Sequence, residues 1–300
     1  PMAYVVSNQD LIDALYDRLA ARPIIQITGH EVTGFNSGSE YAHLQFDGRP
    51  DLRCQLVVAC DGANSKLRDY ASIQTLSEPH RQTAIVANLT SERSHENTAF
   101  QRFLPSGPVA LMPYGTQRLS LVWSLPKGEA ERILALDEDA FTSLLVTSFG
   151  KTLGGLKLDG SRLSWPFKPT ITSKMTSHNL VLAGDACHAI HPLAGQGYNL
   201  ALGDAAVLAD CLANAFRRGL NAGHSSIRSE YSARRRLEVT AMTAMTSGLN
   251  QLMSFQPTIA KIMGASMGLV NRSPLKSLLQ KSAMGGKLAR ANLLEGHLPK

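Results

Sequence analysis

The spacing of hydrophobic positions changes several times along the chain, and each change predicts a new element. Leu11, Ile12, Leu15 and Leu19 recur every three or four residues behind Ser7 and Asn8, either of which can cap a helix. The opening therefore reads as a strand end followed by a helix. Short β-rich runs follow, IIQITG from Ile24, HEVTGF from His30 and AHLQF from Ala42, with Asp47-Gly48 as a turn. They lead into CQLVVACDG from Cys54, whose apolar centre predicts a buried strand. From Arg81 to Leu125 apolar and polar residues alternate between Pro and Gly breaks, the pattern of an antiparallel sheet. Asp137 can cap a helix to Phe149 with Phe141, Leu144, Leu145 and Phe149 on one face, and SRLSWPF from Ser161 returns to a strand. After Tyr198 the chain reads as helical, with Met242, Met245, Leu249 and Leu252 continuing the spacing. The order predicts a mixed α/β (α+β) fold: a nucleotide-type α/β part over 1–75, an inserted antiparallel sheet over 76–170, the α/β part resumed over 171–215, and helices over 216–300.

Composition narrows this picture. With 300 residues and 44% hydrophobic content the chain can bury a large core. Its longest apolar runs, such as Leu56 to Ala59 and Leu180 to Ala183, are too short to span a bilayer, and no charged-then-apolar leader opens it. A cytoplasmic protein is the expectation. Cys54, Cys60, Cys187 and Cys211 match neither a metal-site spacing nor a disulfide framework, which predicts reduced and mostly buried thiols. The net charge of +6 is uneven: from Arg217 to Lys300, 13 Lys and Arg stand against Glu230, Glu238 and Glu295, a balance of +10 against −4 for the rest. A nucleic-acid footprint over the whole protein is thereby excluded. The basic tail also carries Met242, Met245, Met253, Met263 and Met267, so it suits an anionic membrane or a partner protein, or else a packed helix pair with a solvated basic face.

The chemistry concentrates in LVLAGDACHAIHPLAGQGYNLALGDAAVLADCL, Leu180 to Leu212. A strand over Asn179 to Ala183 ends in Gly184-Asp185, and a helix begins near Gly197, so the loop between them directs backbone N–H groups at whatever lies above the strand end. Asp185 disfavours a phosphate there, but a carboxylate at a strand's carboxyl end accepts ribose or ribityl hydroxyls well. Gly195 and Gly197 admit a flat ligand close to the backbone, Pro192 stiffens the approach, and Gln196 and Asn199 offer amides. The ligand implied is a polyol joined to a flat ring that gains negative charge, and a reduced flavin fits. His188 and His191 are three apart, but Pro192 breaks the register a metal site would need, so they are read as braces of the loop and no metal is expected. A second strand-then-turn, VVACDGANSKLR from Val57, places Asp61 and Gly62 before a helix carrying Lys66 and Arg68, and the pair of motifs is a stronger signal than either alone.

The pair DGANSKLR and GDACHAIHPLAGQGYNLALGDA resembles two fingerprints of the FAD-dependent aromatic-ring monooxygenases of the p-hydroxybenzoate hydroxylase fold. AFQRFLPSGPVALMPYGTQRLSLVWSLP and SPLKSLLQKSAMG are similar to the UbiH-like hydroxylases of ubiquinone biosynthesis. The resemblance implies FAD as cofactor, with Gly184 and Asp185 at a ribityl or ribose hydroxyl and the loop Pro192, Gly195, Gln196, Gly197, Tyr198 and Asn199 along the isoalloxazine ring. It places Asp61 and Gly62 near the pyrophosphate and Asn8 at a polar FAD contact. It further implies that a flavin C4a-hydroperoxide, formed with O2 and reducing equivalents from NAD(P)H or an electron-transfer partner, hydroxylates a polyprenylated phenol. Tyr114 and His191 are candidates for favouring phenolate character, the alternatives being packing and loop bracing. The middle sheet would present an apolar face to the substrate, although a plain sheet core reads the same way. Other ubiquinone-biosynthesis proteins and peripheral contact with the inner membrane are the implied partners.

The resemblance also implies a GxGxxG segment near the start, which this sequence lacks, and the expectation is a piece of a longer gene product with weakened FAD affinity. Glu238 and Ser247 stand where close relatives are expected to carry aspartates. Two rival readings stay open: a hydroxylase of a small soluble aromatic acid, and a non-catalytic interaction module.

Overall fold

The computed structural model describes residues 4–77, 82–191, 195–255 and 291–299, with backbone alone for 249–255. They form two compact units, one of residues 4–26, 82–167 and 249–255, the other of 27–77, 168–248 and 291–299. Helix α1 (Asn8–Ala20) belongs to the first unit; its cap is Ser7, whose hydroxyl accepts from the Asp10 amide at 3.4 Å. No residue of α1 is buried, and Leu15 and Tyr16 are exposed. The expected strand IIQITG does not form: Ile24, Ile25 and Ile27 are exposed and no neighbouring strand pairs with them among the described residues, and an unpaired extended segment has nothing to hold it as a strand.

In the second unit β1 (Val32–Ser37), β2 (Ala42–Phe46) and β3 (Leu52–Cys54) make an antiparallel sheet. Strand β4 (Val57–Ala59) follows, then α2 (Lys66–Tyr70) and β5 (Thr75–Ser77). Strand β4 is shorter than its apolar run, and only Val57 and Ala59 are buried, Val58 facing outward.

The first unit resumes with β6 (Gln82–Ser91), β7 (Phe100–Leu104), β8 (Gly107–Tyr114) and β9 (Arg118–Pro126), then α3 (Lys127–Leu134), α4 (Glu138–Phe149), β10 (Leu156–Leu158) and β11 (Leu163–Phe167). Its antiparallel sheet runs β10-β6-β9-β8-β7, with β11 also paired to β6. The period-two pattern becomes rows across the sheet: Ile85, Trp123 and Val109 lie opposite one another, as do Ala87, Leu121 and Leu111, all buried. Ala130, Ile133, Phe141, Leu145 and Phe149 of α3 and α4 join the same core. The cap on α4 is Asp137, which accepts from the Ala140 amide at 2.7 Å, as the sequence predicts. Val109 and Leu111 are thus core residues, while Ala110 and Met112, on the opposite face of β8, are half-buried.

The chain then continues the second unit with β12 (Thr170–Thr172), β13 (Thr176–Ser177), β14 (Leu180–Leu182), β15 (His188–Ala189), α5 (Gln196–Arg217) and α6 (Ser225–Phe255), the last of which belongs to this unit as far as Gly248. Strand β14 pairs in parallel with β4, Leu180 to Val57, Val181 to Val58 and Leu182 to Ala59. Helix α5 buries Leu200, Val207, Leu208 and Cys211, and α6 buries Ile227, Tyr231, Arg235 and Val239 at four-residue steps. The basic stretch is therefore, up to Gly248, a helix with one face in the core of this unit. Met253, Met263 and Met267, the SPLKSLLQKSAMG segment and Pro192 lie outside the residues whose side chains are described. Among the described residues no helix is long and apolar enough to cross a membrane.

Candidate cofactor site

Parallel pairing gives the two strand-ending turns their common place. Because β4 and β14 run in the same direction in register, with the Ala183 amide donating to the Ala59 carbonyl at 3.0 Å, Asp61-Gly62 and Gly184-Asp185 emerge together at one end of the sheet. The carboxyl ends of parallel strands are where open α/β folds bind ligands. Arg68, 6% exposed, ties the two turns: its guanidinium donates to the Ala63 carbonyl at 3.0 Å and to the Ala186 carbonyl at 3.2 Å.

Each turn is built by local capping. Asp61 accepts from the Ser65 hydroxyl at 2.5 Å and the Leu67 amide at 3.2 Å, and Ser65 accepts from the Arg68 amide at 3.0 Å. The Asp61 carboxylate thus holds the start of α2 while the residue stays exposed, and Gly62 beside it lies in the left-handed region at φ +83 with open space where a Cβ would stand. Gly184 (φ +58) begins a 3-10 turn closed by the Cys187 amide on its carbonyl at 2.8 Å. Asp185 on that turn is exposed and makes no hydrogen bond with the described residues. Gly195 (φ +62) is the N-cap of α5 and has no side chain to cap it, and the first turn of the helix carries the positive end of its dipole. Gly197 has no atom closer than 3.9 Å to a would-be Cβ, Tyr198 is half-exposed, and Asn199 donates to the Gln196 side-chain carbonyl at 3.2 Å.

These residues fit the cofactor inferred from the sequence. An exposed carboxylate for hydroxyls, two left-handed glycines, Gly62 and Gly195, with open space where a side chain would stand, and a helix N-terminus for a ring that gains negative charge are groups that suit FAD.

Beneath the turn lies a buried polar network. Asp204 and Arg235 are both fully buried, joined through Nε to Oδ1 at 2.7 Å. The other Asp204 oxygen accepts from the Gly184 amide at 2.8 Å and pairs with His188 Nε2 at 2.7 Å. Arg235 also donates to the Leu200 carbonyl at 2.8 Å and pairs with Glu238. Burial pushes the Asp204 carboxyl up, but the His188 hydrogen bond and charge, Arg235 and the Gly184 amide together hold it below its ordinary value. Nearby, burial pushes the Cys187 thiol up to about 12 and raises the Tyr231 phenol, which donates to the Leu182 carbonyl at 2.9 Å. The four cysteines are free, with Cys187 and Cys211 buried, Cys54 half-buried and Cys60 exposed.

His188 is a brace of the turn, as its position suggested. His191 is buried beside the loop. Tyr114 ends β8 and Asn8 opens α1, both in the other unit; the Arg118 guanidinium lies 5.9 Å from the Tyr114 ring centroid. Asp204 and Arg235 were not singled out by sequence reasoning, although a signal was present: each sits on the apolar stripe of its helix, and a charge there must find a partner. Glu238 is that partner's second acid, and Ser247 is buried with its hydroxyl unpartnered among the described residues.

Comparison with known proteins agrees with this chemistry. The family described as "FAD binding domain" matches residues 1–246. The chain is 36% identical over 288 residues to ubiquinone hydroxylase UbiL of Rhodospirillum rubrum, covering 95% of this chain and 67% of that one. It is 30% identical over 297 residues to the mitochondrial ubiquinone biosynthesis monooxygenase COQ6 of Homo sapiens, covering 84% and 64%. The p-nitrophenol 4-monooxygenase PnpA of Pseudomonas putida shares the fold at a TM-score of 0.73 and 19% identity, over 94% of this chain and 73% of that one. The chain spans about two thirds of the length of these curated relatives. With the paired turns and these relatives in agreement, the chain belongs to the FAD-binding-domain family of flavin-dependent aromatic monooxygenases, in its UbiH-like branch.

Proposed function

We propose that this chain takes part in hydroxylating a polyprenylated phenol in ubiquinone biosynthesis, with O2 and reducing equivalents from NAD(P)H or an electron-transfer partner. The observation that carries the reading is the parallel β4–β14 pair, which brings the Asp61-Gly62 and Gly184-Asp185 turns to one sheet end with the Asp185 carboxylate exposed there. The substrate class rests on similarity to UbiL and COQ6, whose names state ubiquinone chemistry. FAD, when bound, supplies the redox chemistry that activates O2. The chain's own residues bind and orient: Asp185 accepts a ribityl or ribose hydroxyl, Gly62 lets the backbone approach the pyrophosphate, and the first turn of α5 favours negative charge on the ring. Asn8, Tyr114 and His191 keep their roles as candidates toward cofactor and substrate.

Titration of the chain with FAD, read by flavin fluorescence, tests the site. Asp185→Ala is expected to raise the Kd about tenfold, the worth of one charge-assisted hydrogen bond; an unchanged Kd removes Asp185 from the site. Oxygen-dependent product formation from a prenylated phenol, set beside p-hydroxybenzoate, then separates the ubiquinone reading from hydroxylation of a small soluble acid. Peripheral contact on the cytoplasmic side of an anionic membrane belongs to the same proposal: Leu237 is exposed on α6 next to Arg236. Binding to anionic liposomes that is lost at high salt supports it, and no binding at low salt refutes it.

A further inference from the structure

We infer that Asp204 is the positioning residue of the cofactor turn, holding both of its ends through one buried carboxylate; the inference rests on the FAD reading of that turn. Oδ2 takes the Gly184 amide at 2.8 Å and His188 Nε2 at 2.7 Å, the residues that flank Asp185 on either side. Between those two anchors Asp185 is exposed and makes no hydrogen bond with the described residues, so its direction is set by the backbone that Asp204 pins.

The carboxylate is itself immobilised. Arg235, fully buried, donates Nε to Oδ1 at 2.7 Å and is held in turn by the Leu200 carbonyl and Glu238. Gly203 makes room for this: a Cβ there would meet the guanidinium at 2.9 to 3.1 Å. His188 is fixed from its backbone as well, since β15 pairs His188 with Ile171. Burying an ion pair costs more desolvation than packing two apolar side chains of the same size, so stability alone gives little reason for one here. A carboxylate does what an apolar pair cannot: it takes a backbone N–H and an imidazole at once on one oxygen while a guanidinium holds the other. In the ion pair of Asp210 with Arg234 on the same two helices, the carboxylate takes the backbone and side-chain amides of Asn292 rather than the Gly184 amide or His188.

Asp204→Asn, Asp210→Asn and the unaltered chain, each 300 residues, are compared by amide hydrogen exchange without FAD and by FAD titration. Asp204→Asn is expected to speed exchange over residues 184–188 and to raise the FAD Kd, each about tenfold, the worth of a lost charge-assisted hydrogen bond. Asp210→Asn is expected to leave both unchanged. Unchanged exchange in Asp204→Asn overturns the positioning role, as does an equal loss of FAD affinity in Asp210→Asn, which would mark a general structural effect. If Asp204→Asn does not fold, His188→Ala carries the test: weakened FAD binding that His188→Gln restores supports the role, and wild-type binding by His188→Ala refutes it. Absence of FAD binding in the unaltered chain overturns the FAD reading alone, because the exchange measurement still decides the positioning.

Discussion

The two units both bury an apolar core but differ in the charged side chains they bury with it. The sheet unit fills its core with Ile85, Leu89, Leu111, Leu121, Trp123 and Phe141, and most of its polar side chains face outward. The cofactor unit buries Ser65, Arg68, Asn179, His188, Asp204 and Arg235, each hydrogen-bonded to another element or turn. An apolar core tolerates any occupant of the right volume, whereas a polar network specifies one geometry. The unit that must present a ligand-binding turn is the one that carries the network.

Substitution should expose this difference. Phe141→Ala in the sheet core is expected to cost about 3–5 kcal/mol through lost burial and a cavity, and Arg235→Met a similar ~3–5 kcal/mol because it strands a buried carboxylate. The two separate in the second step: Asp204→Leu combined with Arg235→Met should recover much of the stability while FAD binding stays weak. Chemical denaturation beside FAD titration checks both, and a double variant that binds FAD normally would erase the contrast. Gly203→Ala should cost roughly 1–3 kcal/mol, since the guanidinium must move off the helix. Asp137→Ala, a cap in the sheet unit, should cost about 1 kcal/mol and leave the FAD Kd unchanged.

The smallest effect is that of pH. The Asp204 carboxyl is held below its ordinary value of 3.8 in the folded state, so its contribution to stability is complete above that value and is lost as pH falls through the lower folded value. Acid unfolding of the cofactor unit should be less steep in Asp204→Asn than in the unaltered chain.

Much of this was legible beforehand. The alternation from Arg81 to Leu125 became β6 to β9, and Asp137 capped its helix, because both signals act over a few residues. IIQITG failed as a strand because its partner is a matter of pairing rather than propensity. The Gly-Asp and Asp-Gly turns were visible as motifs, but Asp61 turned out to serve the start of α2 with its carboxylate, a use that depends on where Ser65 and the Leu67 amide come to lie.

By itself, the amino-acid order determined the sheet over β6 to β9, the capped helix α4, the apolar faces, the two acidic-glycine turns and, through them, the cofactor class, since each of these depends on neighbours within a turn or strand. Only the tertiary structure decided that β4 and β14 run parallel, that Arg68 joins the turns across 118 residues, and that Asp204 meets Gly184, His188 and Arg235. The reason is physical: a buried charge satisfies itself by direction and distance, and partners 16 to 31 residues apart are assigned by the packing of helices, not by any period in the sequence.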